Sequence, residues 1–188
     1  MDYLNQKTVN KTISFEGIGL HTGKISKVAI KPAPANHGII FLRTDVEQKN
    51  KLVPAKVENV SSAVLCTSLK NEDGVEVSTV EHLLAAFYFT GIDNALVEIN
   101  SSAIPIMDGS AKDFVELINA SGTNVQQEKI KFLFVNKKIV IEDQAKFISL
   151  EPLNEEFNVD FKLVYKNTVI GNQQNNIKFG MNTSASPE

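Results

Sequence analysis

The chain has one cysteine, Cys66, in 188 residues, so no disulfide can form within it and a reducing compartment suits it best. No apolar run approaches the roughly 18 residues needed to span a bilayer. The opening Met-Asp-Tyr-Leu-Asn-Gln-Lys lacks the apolar core of a secretory signal. These absences point to a cytoplasmic protein without a transmembrane segment, and leave peripheral membrane contact open. Positive charge is not in excess either. Nineteen Lys+Arg stand against 22 Asp+Glu, a formal net charge of -3, which argues against a sequence-independent grip on nucleic acid. No heptad or solenoid repeat is visible. What is present is the composition of a folded globular chain, 43% hydrophobic and 22% charged. That length can bury a real core in one large domain or two small ones.

Hydropathy patterning places β structure over residues 8–43. Ile13 and Phe15 alternate with polar neighbours, as do Val28 and Ile30, and Ile39 to Leu42 form a short apolar run. A glycine-rich turn, Gly17-Ile-Gly-Leu-His-Thr-Gly23, separates the first two segments. Residues 62–70 and 75–77 suit a hairpin around Asp73-Gly74. Ser78-Thr-Val-Glu81 has capping-box spacing and is expected to open a helix, with Val80, Leu83, Leu84 and Phe87 as its apolar stripe and Gly91 as its stop. A strand is expected from Ile92 to Ile99. A second helix is expected over about 111–120, with Ser110 and Asp113 repeating the cap signal. Residues 123–130 look like a polar linker.

Beyond them, 131–135, 138–142, 146–150 and 157–165 alternate like strands, and no amphipathic helix follows. From Asn167 the chain turns rich in Asn and Gln and is expected to be a poorly ordered tail. A sheet must bury its apolar face against something. The expected architecture is therefore α+β. A complete two-layer domain of sheet and helices spans 1–122, and 131–188 holds part of a second, mostly strands. The uncovered sheet face predicts self-association.

Among residues able to carry chemistry, Glu81-His82 stands out. A zinc hydrolase needs a neutral imidazole ligand and a nearby carboxylate to move the proton of a water. Adjacent helical residues point about 100° apart, so one can ligate while the other faces the water. Plainer roles compete: Glu81 as the reciprocal acceptor of the capping box, His82 as a structural histidine. His21 in the glycine-rich turn could donate to a phosphate or sugar, or be an ordinary loop residue. The Gly-Lys-Ser/Thr element of a phosphate loop is missing. Asp108 suits a turn before a capped helix, Cys66 a buried strand position, and Lys146 the solvent face of a strand. No histidine is followed at i+4 by Asp, Glu or His, so a local zinc motif is absent.

Six phrases together are more specific: Gly19-Leu-His-Thr-Gly23, Lys31-Pro-Ala-Pro-Ala-Asn36, Leu65-Cys-Thr67, Ser78-Thr-Val-Glu-His-Leu83, Gly91-Ile-Asp-Asn94 and Ile104-Pro-Ile-Met-Asp-Gly-Ser110. In this order they resemble the zinc-dependent UDP-3-O-acyl-N-acetylglucosamine deacetylases of lipid A biosynthesis, from about residue 7 to about 165. The resemblance implies two similarly folded domains with the active site between them. It implies Glu81 as general base, His82 as a zinc ligand, and His21 and Lys146 as basic residues at the polar end of the substrate site. The family's other two zinc ligands, a histidine and an aspartate four residues on, have no counterpart in these 188 residues. The resulting expectation is a truncated form of a zinc-dependent deacetylase of UDP-3-O-acyl-N-acetylglucosamine, inactive alone. The alternative is a non-catalytic nucleotide-sugar-binding or assembly module that retains the first domain.

Overall fold

The computed structural model describes residues 4–154 and 156–180. The chain divides into two units, Met1–Ile130 and Lys131–Glu188, and is an α+β protein.

In the first unit, alternation in the sequence becomes a five-stranded sheet. Its strands are β2 (Ile13–Ile18), β3 (Ile25–Pro32), β4 (Ile39–Arg43), β5 (Leu52–Pro54) and β9 (Ala95–Ile99), ordered β2-β3-β9-β4-β5. Only β4 and β9 run parallel. β9 is central, and its period of two puts Ala95, Val97 and Ile99 into the core with Leu96 and Glu98 on the opposite face. Ion pairs Lys31–Glu98 at 2.6 Å and Lys27–Glu16 at 3.8 Å decorate that outer face. The core face is covered by α1 (Glu81–Thr90) and α2 (Lys112–Ser121). α1 buries Leu83, Ala86 and Phe87; α2 buries Phe114, Ile118 and Ser121, the i, i+3/i+4 spacing of one helical stripe. Phe15 of β2 meets Phe114 of α2 edge-on at 5.5 Å, joining the layers. Each such fully buried apolar side chain contributes about 1.5–3 kcal/mol. Gly91 ends α1 in the left-handed region at φ 69°, as its position predicts.

A three-stranded sheet, β6 (Val60–Ser62), β7 (Ser68–Lys70) and β8 (Glu76–Ser78), leads into α1. The β7–β8 hairpin turns at Asn71–Gly74 as expected; the Asn71 amide donates to the Val75 carbonyl, and the Val75 amide donates to Asn71 Oδ1. The Arg43 guanidinium of β4 donates to three oxygens: both carboxylate oxygens of Asp45 at 2.8 Å and the Glu76 carbonyl on β8.

Several expectations change. Residues 123–130 are not a linker. Thr123–Lys129 is strand β10, antiparallel to β1 (Asn5–Val9). Backbone pairing asks nothing apolar of its side chains, and the Asn5 and Gln6 side chains donate across the pair to the Gln126 and Lys129 carbonyls. Asn94 ties this ribbon to the sheet: its amide donates to Gln6 and Gln126, and its oxygen accepts from the Gly38 amide.

Neither capping box forms. Ser78 is still in β8, where its amide and hydroxyl both donate to the Ser102 carbonyl, and the helix begins at Glu81 without a side-chain cap. Before α2, Ser110 bonds Asp108 and accepts from the Lys112 amide; no side chain caps the helix at Ala111. Cys66 lies in the bend between β6 and β7, half-buried, and not within a strand.

The second unit contains two hairpins. β11 (Ile139–Asp143) pairs with β12 (Lys146–Leu150), and β13 (Glu156–Val164) with β14 (Asn172–Gly180). Residues 131–135 form no strand. The Asn/Gln-rich stretch expected to be a poorly ordered tail is β14 over 172–180, because nine backbone pairs with β13 organise it whatever its side chains are. Residues 181–188 of that tail lie outside the described residues. Phe147, Phe157, Phe161 and Ile177 are exposed.

Candidate active site

The start of α1 is where the first unit brings polar chemistry together. β8 delivers the chain to Ser78, Thr79 turns it in the left-handed region at φ 58°, and α1 begins two residues later. Glu81 and His82 therefore occupy the first helical turn, both half-buried. The Glu81 side chain accepts a hydrogen bond from the Thr67 amide at Oε2, 2.9 Å away. The Thr67 carbonyl in turn accepts from the Val80 amide at 3.3 Å. This reciprocal pair seats the β6–β7 loop against the helix start and holds the carboxylate in one orientation.

A second loop frames the site from the other side. Ser78 forms a parallel bridge with Ala103, and the Ile104 amide donates to the Ser78 carbonyl at 3.0 Å. The same segment carries the glycine-rich turn. The Ile106 amide donates to the Ile18 carbonyl at 3.0 Å, and a Cβ on Gly17 would meet Pro105 Cβ at 2.9 Å. A Cβ on Gly19 would fall 2.5 Å from Thr22 Oγ1 and 3.1 Å from Ala103 Cβ. At Gly17 the Pro105 ring would have to shift for a side chain to fit, whereas at Gly19 the Thr22 hydroxyl would have to turn away and Ala103 give slightly. His21 sits exposed at the tip of that turn. Through residues 102–106, then, the His21 turn and the Glu81–His82 pair are anchored to one segment.

Lys146 belongs to the second unit, exposed at the start of β12 and opposite Asp143 of β11. Asp108 stays a turn residue; the Ser110 amide and hydroxyl that donate to it hold its carboxyl below the usual range. Sequence reasoning assigned no role to Thr67 or Thr79. Thr67 acts through its backbone, fourteen residues from Glu81, for which no side-chain pattern exists. Thr79 carried only the weak signal of a β-branched residue where the turn into a helix must fall.

Among the described residues, no group of three or more His, Cys, Asp or Glu is placed to hold a metal ion. A catalytic zinc takes three protein ligands. His82 with Glu81 does not make up that set, so the described residues do not fit a complete zinc site.

Fold and site together define an α+β protein that presents a carboxylate and an imidazole side by side at a helix start. The chain belongs to the UDP-3-O-acyl N-acetylglycosamine deacetylase (LpxC) family, whose model matches residues 6–186. Similar curated proteins, each named UDP-3-O-acyl-N-acetylglucosamine deacetylase, come from Shewanella violacea at 41% identity, Shewanella woodyi at 42% and Shewanella oneidensis at 39%. Each alignment covers 96% of this chain and 58% of the relative. The chain thus spans 58% of the length of these relatives. Among the described residues, no helix is long and apolar enough to cross a membrane.

Proposed function

We propose that this chain serves zinc-dependent hydrolysis of the N-acetyl group of UDP-3-O-acyl-N-acetylglucosamine, a step of lipid A biosynthesis that releases acetate. The observation that carries it is the Glu81 carboxylate, oriented by the Thr67 amide beside His82 on the first turn of α1. Glu81 is the general base. It takes a proton from the attacking water and returns it to the amine that leaves as the amide C–N bond breaks. His82 would be one of the residues that hold the zinc, which would polarise the amide carbonyl. His21, on the glycine-rich turn of the first unit, binds the polar, phosphate-bearing end of the substrate; Lys146, on the second unit, is taken by itself as a further substrate-binding residue. The setting is cytoplasmic, which a lone, half-buried cysteine suits.

Residues 1–188 alone are expected to be inactive, because one ligand, His82, with one base, Glu81, should not hold a catalytic zinc tightly. The lack of a metal-holding cluster among the described residues also favours a second reading, a non-catalytic module that binds the nucleotide-sugar or assembles with another chain. Exposed Phe147, Ile148 and Phe161 favour self-association of the 188-residue chain.

One experiment separates these readings: gel filtration of residues 1–188, wild type and the Glu81→Ala and His82→Ala variants, with zinc counted per chain and UDP added in a thermal shift. Weak zinc uptake lost only in His82→Ala, with elution above monomer size, supports the proposal. Tight zinc retained in His82→Ala rules out His82 as a ligand. A midpoint raised by UDP but untouched by zinc favours the module, since only a ligand of the folded state stabilises it.

A further inference from the structure

Among the described residues, five other than glycine have positive φ: Asn36, Leu65, Thr79, Met107 and Gln144. Asparagine adopts that region readily, whereas leucine, methionine and above all β-branched threonine resist it. Leu65, Thr79 and Met107 all lie on the segments that meet at the start of α1: the β6–β7 loop, the β8–α1 turn and the loop docked on the glycine-rich turn. Strain of this kind persists where neighbours over-determine a position.

Thr79 is the sharpest case. The peptide before it is tied to one segment, because the Ser78 amide donates to Ser102 and the Ser78 carbonyl accepts from Ile104. The residues after it are tied to another, through Val80 N–H to the Thr67 carbonyl and Thr67 N–H to Glu81. Thr79 alone must turn the chain between the two. It is 2% exposed, and its Oγ1 has no hydrogen-bond partner among the described residues. A strained backbone and a buried, unpartnered hydroxyl both work against stability.

We propose that Thr79 is a positioning residue: its confined left-handed turn sets the direction in which α1 presents Glu81 and His82. What the positioning serves rests on the deacetylase reading above; the positioning itself does not. Glycine reaches the same φ without strain but is not confined there. Thr79→Gly should therefore leave the thermal midpoint of the 188-residue chain unchanged or raised while loosening the pair.

The reporter is the Thr67 amide, which bonds Glu81. Its hydrogen exchange in Thr79→Gly should be about 10-fold faster, while amides of β3 and β9 keep their rates. Glu81→Ala supplies the rate for a lost acceptor. Thr79→Val keeps the β-branch, drops the hydroxyl, and should retain Thr67 protection. An unchanged Thr67 rate in Thr79→Gly overturns the proposal. So does a rise shared by every amide as the midpoint falls, or equal loosening in Thr79→Val, which would assign the effect to the hydroxyl. The Thr67 amide reports carboxylate placement whether or not zinc binds, so the positioning and the deacetylase reading can fail separately.

Discussion

Asn94 offers a severe test of how the first unit is held together. It is 1% exposed and its side chain makes three hydrogen bonds. Its oxygen accepts from the Gly38 amide at 2.8 Å, and its NH2 donates to Gln6 Oε1 at 2.9 Å and Gln126 Oε1 at 2.8 Å. The two glutamines cannot reverse their amides without loss. Gln6 Nε2 already donates to Asn36 and to the Lys129 carbonyl, both at 2.9 Å, and Gln126 Nε2 to the Ala33 carbonyl at 2.8 Å. Asn94→Asp would set a buried oxygen against two oxygens. Ionised, it has one N–H donor and two repelling acceptors; protonated, it has one O–H for two acceptors. The expected destabilisation at neutral pH is about 3–5 kcal/mol, that of an uncompensated buried charge. Asn94→Ala removes three bonds worth about 1 kcal/mol each, so the near-isosteric change should be at least as harmful as the truncation.

The pH dependence has a definite sign. The new carboxyl titrates higher in the folded chain than its unfolded value of about 3.9, so the folded state binds the proton more tightly. The deficit of Asn94→Asp is therefore largest near neutrality and shrinks as pH falls through that folded value towards the unfolded one. Urea unfolding followed by circular dichroism, at about pH 7 and pH 4.5, measures it. An Asp variant within about 1 kcal/mol of wild type at neutral pH, or a deficit that grows on acidification, would refute the amide clamp as what ties β1 and β10 to the sheet.

Arg43→Lys should cost about 2–3 kcal/mol, because an ammonium cannot hold both Asp45 oxygens and the Glu76 carbonyl at once. The Arg43 hydrogen bonds hold the Asp45 carboxyl below its ordinary value, so that stability is full above the carboxyl range and is lost as pH falls through the depressed value. Midpoints measured down the acid limb should fall less steeply in Arg43→Met than in wild type. Burial pushes the Asp93 carboxyl up, although the Lys7 amide donates to it at 2.8 Å. Asp93→Asn keeps an acceptor for Lys7 and removes the buried charge. It should be at least as stable as wild type at neutral pH, with the gap closing on acidification as wild-type Asp93 takes its proton; a thermal midpoint series over pH reads this directly.

Much of this protein was written in local pattern. The alternation of Ile13 with Phe15 and of Val28 with Ile30 announced β2 and β3. The stripe through Leu83 and Phe87 announced the buried face of α1, Gly91 its end, and Asp73-Gly74 a hairpin. Six ordered phrases carried the family, and with it the pairing of Glu81 with His82. Periodicity reports which faces avoid water, and these elements bury one face. It says nothing about which amide meets which carbonyl across the fold. Polar Thr123–Lys129 and Asn172–Gly180 became strands through partners distant in sequence or organised by backbone alone. Ser78 lost its capping role to the Ser102 carbonyl, 24 residues away. The Glu81 carboxylate found the Thr67 amide in place of the capping partner its spacing promised. Residue identities put a carboxylate beside an imidazole; the carboxylate's orientation came from backbone hydrogen bonds between segments that meet only when the tertiary structure closes, because such bonds depend on position and carry no side-chain signature.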